Sequence, residues 1–269
     1  MAALSEISSP IVSFHHGDFA LATLGAMKGG LRVSVCIPAR NEEATVGSIV
    51  DCVLRELVDG AGLVDELLVV DDGSSDATAG VARRAGARVV AVTAGPAPGA
   101  GAGKGEAMRR ALGESEGEIV VFLDGDVEGF GPHFVTGLLG VILSRPETML
   151  VKAFYRRPLG QSPTGGGRVT ELTARPALSL LFPELSGVDQ PLAGEVAVRR
   201  EALEQIVLEG GYGVEIGMLI DISRRYGMGS IAQVDLGVRA HRNRPLHELA
   251  PQARDVLEVV LRRAGVRIP

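Results

Sequence analysis

The chain has 269 residues, 46% of them hydrophobic, and a formal net charge of −6 at neutral pH. That length suits one large α/β domain or two closely joined halves. The acidic balance excludes a protein-wide field for nucleic acid, so any anionic ligand needs a local basic site.

Taken in chain order, residues 1–30 read as a surface arm. They lack the basic start and apolar run of a signal peptide, and the pair His15-His16 reads as surface rather than as a metal site. Cys36 and Cys52 read as small buried residues rather than as a disulfide framework, the cysteine usage of a reducing cytoplasm. No apolar stretch is long enough to span a bilayer. With no tryptophan and 4% aromatic residues, the core has to come from Val, Leu, Ile and Ala.

A strand–helix alternation starts at residue 31. A buried strand over 31–37 precedes a helix capped by Asn41, with Val46, Ile49, Val50, Val53, Leu54 and Leu57 on its apolar face. A second strand spans 66–70, and Ser75 or Asp76 caps the next helix. A third strand spans 87–92, a Gly- and Pro-rich loop 93–103, a helix about 105–112, and a fourth strand 118–123. Such alternation predicts a mostly parallel sheet with helices on both faces. The second half reads as a strand at 148–155, a flexible loop at 160–167 and a helix at 168–181 interrupted by Pro176. A helix at 214–226, a strand at 230–236 and a closing amphipathic helix at 253–263 follow. With no linker between halves, residues 31–269 read as one domain, 31–147 a nucleotide-binding half and 148–269 an acceptor-binding half.

Open α/β sheets bind ligands beyond the carboxyl ends of their strands. Three polar clusters fall there: Pro38-Ala39-Arg40-Asn41-Glu42, the acidic turn Asp71–Asp76, and Asp124-Gly125-Asp126. Two carboxylates one residue apart after a buried strand suit a ribose and a hard divalent cation such as Mg²⁺ or Mn²⁺ beside a diphosphate. Lys104 opens a helix between Gly103 and Gly105, where backbone N–H groups favour phosphate. The glycines there do not have dinucleotide-fold spacing, and no Walker A loop is present. The run Gly165-Gly166-Gly167-Arg168-Val169-Thr170 is a second anion candidate, with a guanidinium fork at a helix start. It reads equally as a linker with a surface arginine. The basic turn Arg239-Ala240-His241-Arg242-Asn243-Arg244 offers a metal ligand in His241, or a plain surface turn. Glu215, after Tyr212-Gly213-Val214, suits a sugar hydroxyl or a helix dipole.

These motifs resemble GT-A glycosyltransferases of the family-two type. The segments Lys152–Pro158, Gly165–Leu172, Gln190-Pro191-Leu192-Ala193-Gly194-Glu195, 211–215 and 241–246 resemble the actinobacterial glucosyl-3-phosphoglycerate synthases, near the mannosyl-3-phosphoglycerate synthases. The resemblance covers roughly 31–265. It implies a GT-A fold, an Mg²⁺ or Mn²⁺ cofactor, a homodimer, and retaining transfer of glucose from UDP-glucose to the 2-hydroxyl of 3-phospho-D-glycerate. By position, it implies nucleotide-sugar contacts from Pro38, Ala39, Arg40, Asn41, Glu42, Asp72, Lys104, Asp124, Gly125, Tyr212, Gly213, Val214, Glu215 and Arg239. It implies acceptor contacts from Gly167, Arg168, Val169, Thr170 and Asn243, metal ligation by Asp126 and His241, and catalytic roles for Asp126, Glu215 and Lys104. Gly125 departs from the family, which often has serine there. Donor choice stays open between UDP-glucose and GDP-mannose. A silent nucleotide-binding protein and a nucleotidyltransferase are the readings from other classes. The second would want a glycine-rich loop directly after the first strand.

Overall fold

The computed structural model describes residues 11–92, 102–159, 162–240 and 246–267. In chain order the elements are β1 (Val12–His15), α1 (Leu21–Lys28), β2 (Val33–Ala39), α2 (Val46–Cys52), β3 (Glu66–Asp71), α3 (Thr78–Arg84), β4 (Arg88–Ala91) and α4 (Lys104–Glu114). Then come β5 (Ile119–Phe122), α5 (His133–Ser144), β6 (Leu150–Arg156), β7 (Pro158–Leu159), β8 (Ser162–Gly165) and α6 (Arg175–Leu181). The chain closes with β9 (Val196–Arg199), α7 (Arg200–Leu203), α8 (Val214–Tyr226), β10 (Ile231–Val238) and α9 (Leu246–Arg263).

Eight strands form one sheet in the order β1-β10-β6-β9-β5-β2-β3-β4. All pairs are parallel except those of β9, which runs antiparallel between β5 and β6. The strand period of two splits the core into two layers. Val35, Ile37, Val69 and Val121 face α1, α2 and α5. Cys36, Leu68, Val120 and Phe122 face α4, α6, α8 and α9. Both cysteines are buried and free, and burial pushes the Cys36 thiol up to about 12. Among the described residues no helix is long and apolar enough to cross a membrane.

The topology places the site. Residues just after β2, β3, β5, β6 and β10 all emerge at one edge of the sheet. Because β9 is antiparallel, the residues before it, Gly194 and Glu195, emerge there too.

Three local expectations differ from the structure. First, residues 12–28 are not a surface arm: β1 pairs along β10, from Val12 with Ala232 to His15 with Asp235. Leu24 of α1 is fully buried. Gly137 and Gly140 on α5 make the seat, since a Cβ at Gly140 would collide with the Phe19 ring and one at Gly137 would crowd His16. Second, Asn41 does not cap α2, which starts five residues later. Asn41 takes the left-handed conformation, φ 58°, which asparagine tolerates. Its N–H donates to Ser74 Oγ at 3.0 Å and its Oδ1 accepts from Ser75 N at 2.8 Å. Third, part of the loop at 160–167 is a hairpin of β7 and β8. The strand β9 and the helix α5 were not read from sequence. Val214–Tyr226 forms as expected, with Arg224 and Arg225 at the dipole's negative end and Gly227 beyond it at φ 81°.

Candidate functional site

A cavity of about 540 Å³ opens at this sheet edge. It is lined by Pro38, Ala39, Arg40, Asn41, Glu42, Asp72, Lys104, Asp124, Gly125 and Asp126 on one side. Gly167, Arg168, Val169, Thr170, Tyr212, Glu215 and Arg239 complete the expected set. Two expected contacts do not reach it. Val214 is fully buried in the core, and Gly213 lies against Val259 of α9. The chain turn they form is what aims their neighbours Tyr212 and Glu215. His241, Asn243 and most of the loop 93–103 lie outside the described residues.

The first strand-end loops clasp each other. Glu42 N donates to Thr78 Oγ1 at 2.7 Å, and Ala77 N donates to Glu43 Oε2 at 2.8 Å. Asp72 is 5% exposed, and its carboxylate accepts from Ala102 N at 2.7 Å and Gly103 N at 3.1 Å. Its structural work is therefore to seat the loop that leads into α4 and Lys104. Gly125 O accepts from Thr45 Oγ1 at 2.6 Å. A Cβ at Gly125 would only touch Ala39 and Glu42 at 3.4 Å, so serine fits there and glycine is not demanded by the chain.

At the centre, Lys104 Nζ donates to Asp124 Oδ1 at 2.5 Å and pairs with Glu215 Oε1 at 2.6 Å. Arg239, 2% exposed, spans Asp124 Oδ2 at 2.8 Å and Asp126 Oδ1 at 2.6 Å, and reaches Glu195 Oε1 through Nε at 2.8 Å. This guanidinium places one positive charge between two adjacent carboxylates. Burial works against the Lys104 charge, but Asp124 and Glu215 raise its pKa above the ordinary range. Burial likewise pushes Asp124 upward, and Lys104 with Arg239 outweighs it, holding that carboxyl well below the usual range. Beneath them Lys152 is fully buried, donating to Ala193 O at 2.6 Å. Burial, opposed by Glu215, lowers it to about 8.

Sequence reasoning gave no role to several residues that shape this site. Glu195 accepts from the Tyr155 hydroxyl at 2.5 Å, which accepts from Arg157 Nη2 at 2.8 Å. Arg157, Leu192, Glu248 and Gln252 line the cavity. Glu248 and Gln252 sit four apart on α9, a spacing that could have flagged one polar face. Glu195 could not be found without knowing that β9 runs antiparallel.

Asp126 keeps more exposure than Asp124, 32% against 21%. Both Asp124 oxygens hold cationic side chains, whereas only one Asp126 oxygen holds Arg239. Among the described residues no three His, Cys, Asp or Glu side chains converge as a metal cage. One carboxylate fits a cation whose other ligands are diphosphate oxygens and water.

Residues 34–206 match the model of the family described as Glycosyl transferase family 2. The glucosyl-3-phosphoglycerate synthase of Mycobacterium tuberculosis (strain H37Rv) is 50% identical over 262 residues, 94% of this chain and 80% of that protein. A crystal structure of the M. tuberculosis synthase with Mn²⁺, UDP-glucose and phosphoglyceric acid is similar at a TM-score of 0.87 and 46% identity, covering 96% of this chain and 89% of that one. Another, with Mg²⁺ and UDP, is similar at a TM-score of 0.86 and 46% identity, over 96% and 88%.

Proposed function

This chain belongs to glycosyl transferase family 2 and, within it, to the glucosyl-3-phosphoglycerate synthases, and from that membership we propose that it moves glucose from UDP-glucose to the 2-hydroxyl of 3-phospho-D-glycerate with retention. It is a glycosyltransferase with the α/β GT-A fold. The observation that carries the substrate reading is that one cavity holds the Lys104–Asp124–Asp126 cluster and the Gly167–Thr170 helix start together.

The donor diphosphate would lie along Asp124, Gly125 and the start of α4, with Pro38–Glu42 around the nucleotide. The cofactor is Mn²⁺ or Mg²⁺, which Asp126 and His241 would hold. When bound, it neutralises diphosphate oxygens as they take up charge. Lys104 supplies a second cation at the same pole. Glu215, fixed by Lys104, and Tyr212 flank the sugar. Glu215 and Asp124 are each paired with the Lys104 ammonium, which weakens either carboxylate as a nucleophile. This supports same-face attack: the acceptor oxygen bonds to the anomeric carbon, the bond to phosphate breaks, and the hydroxyl proton goes to the departing phosphate. Gly167, Arg168, Val169, Thr170 and Asn243 would hold the acceptor.

The two halves, 31–147 and 148–269, work as one domain in this reading, since β9 of the second half sits between β5 and β6. The protein acts as a homodimer in the cytoplasm. Leu172 and Leu180, 72% and 80% exposed, supply an apolar face for a second copy. Light scattering that gives a monomer mass would remove the dimer.

The deciding experiment incubates the protein, Mg²⁺ and 3-phosphoglycerate with UDP- or GDP-linked glucose or mannose and identifies the product. Glucosyl-3-phosphoglycerate from UDP-glucose is expected. Transfer only from GDP-mannose, or none, overturns the reading. Arg168→Lys keeps charge but loses the planar fork, so the Michaelis constant for 3-phosphoglycerate should rise steeply with little change for UDP-glucose. A change in donor affinity alone would move the glycine loop to the donor site.

A further inference from the structure

Lys104 and Arg239 are matched to carboxylates. Arg157 is a cation on the same cavity with a different kind of partner. It follows β6, and its Nη2 donates to the Tyr155 hydroxyl at 2.8 Å while its guanidinium lies 4.9 Å from the centre of that ring. Among the described residues no carboxylate lies within ion-pair distance of it, and its Nε is buried without a hydrogen-bond partner. A partly buried guanidinium held by a neutral phenol retains its demand for an anion.

Its position narrows which anion. The Arg157 carbonyl accepts from Gly166 N at 3.1 Å. A Cβ at Gly167 would lie 3.5 Å from Arg157 Cδ and 3.7 Å from Nη1. The side chain therefore runs beside the loop that opens the Arg168 helix. Toward the other pole, the Arg157 charge helps to lower the Asp124 carboxyl. Arg157 thus stands between the acceptor loop and the acidic cluster.

The acceptor named above carries two anions. Its carboxylate is on the carbon next to the reacting hydroxyl, and its phosphate is on the far side. With the phosphate at Arg168 and the hydroxyl turned to the donor, the carboxylate falls between the two poles. We propose that Arg157 binds the acceptor carboxylate and so sets specificity for a 2-hydroxy acid over a simple phosphorylated alcohol. This rests on the glucosyl-transfer reading. Tyr155 is a positioning residue: its hydroxyl links Arg157 to Glu195 and through it to Arg239. The guanidinium is thereby held in register with the donor carboxylates.

The test uses glycerol 3-phosphate, which keeps the phosphate and the 2-hydroxyl but has an alcohol in place of the carboxylate. Its inhibition constant is measured beside the kinetics of 3-phosphoglycerate and UDP-glucose. Wild-type turnover of 3-phosphoglycerate measures the reading itself, and its absence overturns both. With turnover present, Arg157→Gln should lower kcat/KM for 3-phosphoglycerate on the order of 10- to 100-fold, the weight of one charge-assisted contact. The inhibition constant of glycerol 3-phosphate and the KM for UDP-glucose should hardly move. Arg157→Lys, which keeps the charge and much of the packing, should shift the same ratio less, and Tyr155→Phe likewise. Equal loss of affinity for both acceptor molecules would overturn the proposal, as would a raised KM for UDP-glucose with acceptor discrimination intact.

Discussion

At the residue scale the site is an arrangement of ion pairs more than of isolated groups. Lys104 is the hinge of it, shared by Asp124 and by Glu215, whose side chain is 6% exposed. Lys104→Ala removes a charge-assisted contact worth roughly 1.5–3 kcal/mol from the donor pole and leaves Glu215 buried without its cation. Turnover should fall tenfold or more, with weaker UDP binding by calorimetry. Unchanged kinetics would reduce Lys104 to a helix-opening residue. The related glycine effect is steric. A Cβ on Gly194 would collide with Asp124 Oδ1 and Lys104 Nζ. Gly194→Ala should therefore part that ion pair, cutting kcat/KM strongly and lowering the melting temperature, because Gly194 is buried beside the pair. Full activity in Gly194→Ala would show that the pair has room to shift.

At the element scale, the N-terminal strand is held through histidines. His16 packs against His133 of α5, ring centres 4.8 Å apart, and His15 stacks on His16 at 4.3 Å. Burial, then the neighbouring histidine charge, lowers both His16 and His133; Asp18 and Asp235 oppose this at His16. With folded pKa values below the unfolded value of about 6.5, the unfolded segment binds more protons in the window just below it. Stability of the docked strand is thus present above that pH and lost as pH falls through it. Amide exchange in β1, corrected for intrinsic rates, should be faster at pH 5.5 than at pH 7.5. His16→Phe should remove most of that difference. A pH-independent exchange rate in the wild type would show that these rings do not govern docking.

At the scale of the whole molecule, the antiparallel β9 joins β5 to β6 and delivers Glu195 to the shared edge. Metal dependence belongs here, since the proposed ligands Asp126 and His241 come from segments far apart in the chain. Chelation should abolish transfer, and Mn²⁺ or Mg²⁺ should restore it. Asp126→Ala should lose activity and metal-dependent UDP affinity, yet keep its fold, because Arg239 retains Asp124 and Glu195. Undiminished transfer in metal-free buffer would rule out the role.

What the chain declares by itself is periodic and local. The apolar runs read over 31–37, 66–70 and 118–123 mark buried parallel strands, and the polar turns after them mark the ligand edge. Asp124, Asp126, Lys104 and Arg168 were legible for the same reason: each follows a strand or opens a helix. Folding decided the rest. The segment 12–28 looked like an arm because its seat, Gly137 and Gly140, lies more than a hundred residues away. The strand β9 is four residues long, too short for its period to show its direction. Tyr155, Arg157, Glu195 and Arg239 form a hydrogen-bonded chain across residues far apart in sequence. Their partnership comes from strand order, and strand order is set by how the whole sheet buries its two faces.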